Sequence, residues 1–100
     1  MLRTDRVNQW ATLYIKASPS LARWLKAAQA ARWTSLQEVR QSFKTADGVM
    51  VTSGKTATVF NIAGNDFRLI TAIHYNRQMI FVLEFLTHSE YSTNRWKDRL

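Results

Sequence analysis

Apolar residues in the first half of the chain recur at the spacing of helices. One stripe, with Thr4 as its predicted N-cap, comprises Val7, Trp10, Ala11, Tyr14 and Ile15. A second stripe follows Ser18-Pro19, a typical helix start, and comprises Leu21, Trp24, Leu25 and Ala28. Ser35 and Glu38 fit a capping box for a short third helix that includes Leu36, Val39 and Phe43. The first half is therefore predicted to be helical.

The second half has the pattern of strands. Residues 44–57 are predicted to form a loop, with a candidate brief strand at 49–51. Longer strands are predicted over 58–62, 67–74 and 78–86, joined by turns at 63–66 and 75–77. In the strand over 67–74, Phe67, Leu69 and Ile73 are expected to share one face. In the strand over 78–86, Phe81, Leu83 and Phe85 are expected to do the same. The tail, residues 91–100, is either a polar helical turn or a frayed end.

Short turns between successive strands favour an antiparallel meander. The helices must cover one face of that sheet in order to bury their own apolar stripes. We therefore expect an α+β fold with N-terminal helices packed on one face of an antiparallel sheet, forming one domain over residues 1–100.

The chain is strongly basic, and its charge narrows the class of partner. Fourteen Lys and Arg against seven Asp and Glu give a net charge of +7. Such a charge attracts polyanions, chiefly nucleic acid or an acidic protein, although it could also serve only solubility. The chain has no Cys, no signal-like start and no run of about 18 apolar residues. We expect a cytoplasmic protein that needs no metal or cofactor, since no metal-ligand spacing or phosphate-binding loop is present.

Residues that could cut RNA cluster in the strand half. Cleavage needs a base for the 2′-hydroxyl, an acid for the leaving 5′-oxygen and a cation for the developing charge. Arg68 interrupts an apolar strand, which suits a phosphate clamp. The alternative is a cross-strand ion pair, because a three-residue turn at 75–77 would place Arg68 directly opposite Glu84.

A second set of candidates follows the last strand. His88 can act as an acid or a base near neutral pH, or it is an ordinary surface residue. Tyr91 could donate a hydrogen bond, stack on a base or anchor the tail, and Glu90 is a possible base or a solvated charge. The candidate RNA-binding residues are Lys44, Lys55 and Arg77, which lie in loops and turns; the two tryptophans that could stack on RNA or pack against a partner are Trp33 and Trp96.

Two sequence blocks resemble the HigB family of toxins. The first is Val59 to Ile70, read as VFNIAGNDFRLI, and the second is Thr87-His88-Ser89-Glu90-Tyr91. They are similar to an "FNIGGN-x-(Y/L)-R-(L/V)" block and a "TH-x-EY" block in that family, at about the same separation. The stretch from Trp33 to Phe43 also fits, so the resemblance covers about residues 20–91.

The resemblance implies a RelE-like fold with a curved sheet whose open, concave face accepts mRNA in the ribosomal decoding site. It implies a metal-independent, translation-coupled endoribonuclease that is silenced by a HigA-type helix-turn-helix antitoxin and meets DNA only through that complex. By position, Arg68 belongs to the first block, and His88, Glu90 and Tyr91 to the second. Arg68 would neutralise the scissile phosphate, His88 would be the acid or base, and Tyr91 would position a base or assist proton transfer.

The chain departs from the family pattern at two positions. Leu83 stands where members commonly have a basic residue, and Ser92 where they often have Asp. The first departure leaves open a slow enzyme, one that uses Lys55 or Arg77 instead, or a non-catalytic module of the same fold that binds RNA, the ribosome or the antitoxin.

Overall fold

A computed structural model describes residues 5–100, so Thr4, the predicted cap of the first helix, lies outside the described residues. The α-helices are α1 (Asp5–Leu13), α2 (Ser18–Ala30), α3 (Leu36–Ser42) and α4 (His88–Ser92). The strands are β1 (Asp47–Met50), β2 (Thr56–Ile62), β3 (Phe67–His74) and β4 (Met79–Thr87). Short 3-10 turns span Ile15–Ala17, Tyr75–Arg77 and Arg95–Arg99.

The four strands form one antiparallel sheet in the order β1-β2-β3-β4, so the meander was predicted correctly. The candidate brief strand is real and begins earlier, at Asp47. Helices α1 to α3 pack on one face of the curved sheet. The α+β architecture expected from the sequence is confirmed.

The main core lies between the helices and that face. It includes residues from each of the first three helices and from three strands, among them Val7, Leu21, Trp24, Val39, Phe60, Leu69 and Phe85. Trp33 belongs to this core at 8% exposure and stacks on Phe60, so it is not an RNA-stacking residue. Two residues of the predicted stripe of α1 lie beyond the helix: Tyr14, which still packs against the core, and Ile15, which does not. The helix ends at Leu13, and Ile15 lies in the following 3-10 turn with 79% of its surface exposed.

The other face of the sheet carries a second, smaller core. Its buried members are Val51, Ala57, Val59, Ile70, Leu86 and Trp96. Trp96 is completely buried, and the main chain of the tail is held to the β1–β2 loop because Thr52 N–H donates to Lys97 O at 3.1 Å. The tail is therefore not frayed: it forms a helical turn, Arg95–Arg99, as the first alternative predicted, and Trp96 is the buried core residue of that otherwise polar turn.

A β-bulge in β4 changes which side chains share a face. Ile70 lies opposite Glu84, whereas its neighbour Thr71 lies opposite Val82, so Leu83 is an extra residue in β4. As a result Ile80, Val82 and Phe85 belong to the helix-side core. The predicted alternation of Phe81, Leu83 and Phe85 on one face is wrong. Leu83 packs against the second core, and Phe81 is 39% exposed.

The bulge also changes the predicted partner of Arg68. Arg68 lies opposite Leu86, two residues further along β4 than the expected Glu84. One residue of this shift is Leu83, and the other is Gln78, whose left-handed conformation (φ 55°) extends the β3–β4 turn to four residues. Glu84 instead accepts two hydrogen bonds from Arg99, at 2.6 and 3.1 Å. The proposed cross-strand ion pair is therefore not formed.

Candidate functional site

Arg68 is the one buried charged side chain among residues whose burial the structure describes, at 8% exposure. It is the second residue of β3 and lies on the sheet face opposite the main core, with one residue between it and the end of the tight turn at 63–66. Positive φ angles at Ala63 (53°) and Gly64 (68°) make this turn, which brings Asn65 back over the start of the strand. The turn therefore places the oxygens of Asn65 beside the buried guanidinium of Arg68.

The guanidinium is held by four hydrogen bonds. Nη1 donates to the carbonyls of Asn65 and Phe67, both at 3.0 Å. Nη2 donates to Oδ1 of Asn65 and to Nδ1 of His88, both at 3.3 Å. A guanidinium has no acceptor, so Nδ1 of His88 must supply a lone pair and the ring proton must lie on Nε2.

His88 is placed by the N-terminus of α4. Thr87 is the N-cap: its hydroxyl accepts from Glu90 N–H at 3.2 Å, and Glu90 Oε1 accepts from Thr87 N–H at 3.0 Å. The main-chain N–H of His88 donates to Asp66 O at 2.9 Å, which ties α4 to the turn before β3. The exposed His88 side chain therefore begins from a fixed backbone.

Glu90 is a capping residue of α4. Its carboxylate closes the capping box described above, an arrangement that satisfies two N–H groups at the helix start. The structure brings Glu90 to the same short helix as His88, with one carboxylate oxygen already engaged. The sequence left Glu90 as a possible base or a solvated charge; its side chain is exposed as well as engaged in the cap, and its role as a base stays a prediction.

Tyr91 joins the site to the second core. Its ring stacks on Trp96 with centroids 5.3 Å apart, and the Arg68 guanidinium carbon lies 5.5 Å from the ring centroid. Burial raises the pKa of the Tyr91 phenol, as does the negative charge of Asp47, while Arg68 opposes the rise. The hydroxyl is therefore a neutral donor at physiological pH, and the ring also anchors the tail.

The candidate RNA-binding residues do not all reach this cluster. Lys55 precedes β2 and Arg77 follows β3, and both lie at the sheet end remote from Arg68. Six residues of strand separate Arg68 from His74, about 20 Å at 3.3 Å per residue. Lys44 lies shortly before Asp47, which pairs with Val59 near the Arg68 end. All three side chains are exposed, but Lys44 alone lies toward the cluster.

Two residues of the site were missed by the sequence interpretation. Asn65 was taken only as a turn former, although an amide two to three residues before a strand arginine is a possible partner for it. Trp96 was left undecided between RNA and a partner. A Trp in a basic tail gives no sign by itself that it is buried on a sheet face.

The arrangement can supply hydrogen-bond donors and positive charge to an anion. The donors are the Nε2–H of His88 and the hydroxyl of Tyr91, beside the charge of Arg68. Much of the sheet face that the family resemblance implies as an open mRNA surface is packed by the tail through Trp96. The exposed part of the cluster is therefore at the end of the sheet, where α4 begins.

Comparison with known proteins agrees with the fold and the two sequence blocks. None of the described helices has the length and apolar character required to span a membrane. No curated protein matches the chain. A family model described as HigB_toxin, the RelE-like toxic component of a toxin–antitoxin system, matches residues 17–94. That match covers most of the chain and includes Asn65, Arg68, His88 and Tyr91, so the chain belongs to the HigB family of RelE-like toxins.

Proposed function

We propose that this toxin is a metal-independent endoribonuclease, an mRNA interferase, that cuts mRNA during translation. The observation that supports the proposal most is the contact between Arg68 Nη2 and His88 Nδ1 at 3.3 Å. It joins the two separate sequence blocks into one cluster, with Tyr91 against the same guanidinium. Groups that suit phosphate chemistry thus meet at the exposed end of the sheet.

The proposed reaction is an internal transfer at phosphorus. The 2′-hydroxyl gives its proton to water and its oxygen bonds to the adjacent phosphorus; the bond from phosphorus to the 5′-oxygen breaks, the 5′-oxygen takes a proton from water, and a 2′,3′-cyclic phosphate is left. Negative charge on the phosphoryl oxygens rises in the transition state. Nearby donors and a positive charge stabilise it when they are fixed in advance. His88 and Tyr91 are the proposed donors, and Arg68 supplies the charge.

The basic surface supports a polyanionic substrate. A net charge of +7 attracts RNA, and the exposed Lys44, Lys55 and Arg77 add to this field. We place the reaction on the ribosome and in the cytoplasm because the substrate is translated mRNA. A HigA-type helix-turn-helix antitoxin is the proposed neutralising partner, through which the toxin would meet DNA.

The two histidines provide a matched test. His88 lies at the cluster, whereas His74 is exposed at the far end of β3. In a purified translation system, we expect wild type and His74→Ala to cut translated mRNA at the same positions and similar rates. His88→Ala should lower the rate by about 100-fold, the loss typical of a removed transition-state donor. Primer extension on the mRNA measures the cuts.

Two outcomes would contradict the nuclease proposal. If mRNA stays intact while translation stops, the toxin acts by binding. If His88→Ala still inhibits growth as wild type does, the cluster is not catalytic. Either result would favour a non-catalytic module that binds RNA, the ribosome or the antitoxin.

A further inference from the structure

The Arg68 guanidinium has little hydrogen-bonding capacity left for a ligand. An arginine side chain has five N–H groups. The two on Nη1 donate to main-chain carbonyls, and the two on Nη2 donate to Asn65 Oδ1 and His88 Nδ1. Only Nε–H has no acceptor among the described residues. A bidentate phosphate contact uses a pair of neighbouring N–H groups, so it would break at least one of these bonds.

The burial of Arg68 also argues against direct binding of a phosphate to its guanidinium. Arg68 is 8% exposed, and the ring of Tyr91 lies 5.5 Å from its guanidinium carbon. His88, by contrast, is exposed, and its Nε2–H is not used within the described residues. An incoming phosphate therefore meets His88 before it meets Arg68.

The charged groups around His88 leave this arrangement intact. Arg68 faces its ring from β3, and the Glu90 carboxylate of α4 is engaged by the capping box. Asp66 contacts the His88 main chain through its carbonyl, while its carboxylate pairs with Lys16 at 3.2 Å. The ring of His88 thus has Arg68 as its charged hydrogen-bond partner.

We propose that Arg68 is a positioning residue, fixed by Asn65, which holds His88 so that its Nε2–H donates to the scissile phosphate. The phosphate does not bind the guanidinium. This inference rests on the proposed ribonuclease function and changes the role that the family resemblance suggested for Arg68. Asn65 is a second positioning residue, because it supplies two of the four oxygens and nitrogens that accept from Arg68.

The salt dependence of RNA binding separates the two roles. Each phosphate contact that is lost lowers the slope of log K against log salt by about one. The probe is a 2′-O-methyl RNA oligonucleotide, which cannot be cut, and the measurement is fluorescence anisotropy over a series of salt concentrations. We expect Arg68→Gln to bind with the slope and affinity of wild type while the cleavage rate falls about 100-fold, as for a displaced reacting group.

Two further variants sharpen the test. Arg68→Lys keeps the positive charge but loses the planar arrangement of N–H donors, so it should fail to restore cleavage. Asn65→Ala, a change at an exposed turn residue, should lower cleavage about tenfold with RNA affinity unchanged, and Asn65→Asp should restore most of it. Arg23→Gln, at an exposed arginine of α2 on the helix side of the sheet, is the matched control. A slope reduced by about one in Arg68→Gln but not in Arg23→Gln would overturn the proposal.

A readout independent of cleavage is the NMR spectrum of the arginine side chains. A guanidinium fixed by four bonds rotates slowly about Cζ–Nη and gives separate Nη resonances, whereas an exposed one such as Arg77 averages them. We expect separate resonances for Arg68 in wild type and averaged ones in Asn65→Ala. Averaged resonances in wild type would contradict the positioning role. If these results hold and wild type cuts no RNA, the ribonuclease proposal alone has failed.

Discussion

Trp96 stacks on Tyr91 with ring centroids 5.3 Å apart, and its indole N–H donates to Tyr91 O at 3.1 Å. This pair connects Trp96, which lies beyond the matched residues 17–94, to a side chain of the candidate site. The tail is thus part of the structure that holds the site.

Trp96→Ala should be strongly destabilising. The side chain is completely buried in the second core, and a large-to-small change there loses burial and leaves a cavity, worth about 3–5 kcal/mol. Urea unfolding measures the loss. Ile15→Ala, at a side chain that is 79% exposed, is the control and should stay within about 0.5 kcal/mol of wild type. A small loss for Trp96→Ala would mean that the tail is not docked in solution.

One serine cap and one threonine cap allow an effect on stability to be distinguished from an effect on activity. Thr87 caps α4 and Ser35 caps α3, each accepting from the N–H of the residue three positions on. Replacing either with Ala should cost about 1 kcal/mol in unfolding free energy. Only Thr87→Ala should also lower mRNA cleavage, because α4 begins with His88. Equal activity in the two variants would show that the cap does not position the histidine.

Tyr91 should make the stability of the protein sensitive to alkaline pH. Burial and Asp47 raise its folded pKa above the value of 10.0 that it has when unfolded. The folded state therefore binds the phenolic proton more tightly, and this stabilisation is present below pH 10 and lost as the pH rises through the folded pKa. Urea midpoints measured from pH 8 to pH 11 should fall less steeply in Tyr91→Phe than in wild type.

Tyr75→Phe is the companion variant for that measurement. Burial also raises the pKa of Tyr75, which lies in the β3–β4 turn away from the site, although a hydrogen bond with Thr58 opposes the rise. Its removal should flatten the same alkaline fall without changing cleavage at neutral pH. An unchanged pH profile in both variants would contradict the role of these phenols.

Lys44 and Lys55 should differ in their effect on cleavage. Both are exposed loop lysines, but Lys55 lies at the sheet end remote from Arg68 and Lys44 toward the near end. Each Lys→Ala change removes one positive charge, and at 0.1 M salt the attraction of that charge for RNA is largely screened beyond about 10 Å. Cleavage at that ionic strength should therefore fall more in Lys44→Ala. An equal fall would indicate that RNA also follows the far end.

The sequence predicted the fold class well because periodicity reports burial directly. The stripe from Leu21 to Ala28 and the Ser35 cap lie where they were predicted, since both depend only on local spacing. Even here the reciprocal half of the α3 capping box is displaced: Glu38 accepts from Thr34 N–H at 2.6 Å, one residue before the cap. Small shifts of this kind do not change the packed face.

The cross-strand relationships could not be predicted in the same way. Counting alternate residues along β4 presumes an unbroken pleat, and the bulge at Leu83 breaks it. The Arg68 cluster was found because its residues fell in recognisable blocks, whereas the partner assigned by counting, Glu84, was wrong. The hydrogen bonds between Asn65 and Arg68 depend on how the turn at 63–66 folds back over β3, and the composition of the turn does not reveal this.

The bulge has a consequence for how β4 tolerates changes in length. Leu83 is the extra residue between two stretches that each pair regularly with β3. Deleting Leu83 would join these stretches and leave the other β4 residues opposite the partners that they have now. Deleting Phe81 instead would move Ile80 and Met79 to the wrong faces. A single-codon deletion at position 83 should thus be the gentlest shortening of this strand, and an insertion beside it would double the irregularity that the sheet already accommodates.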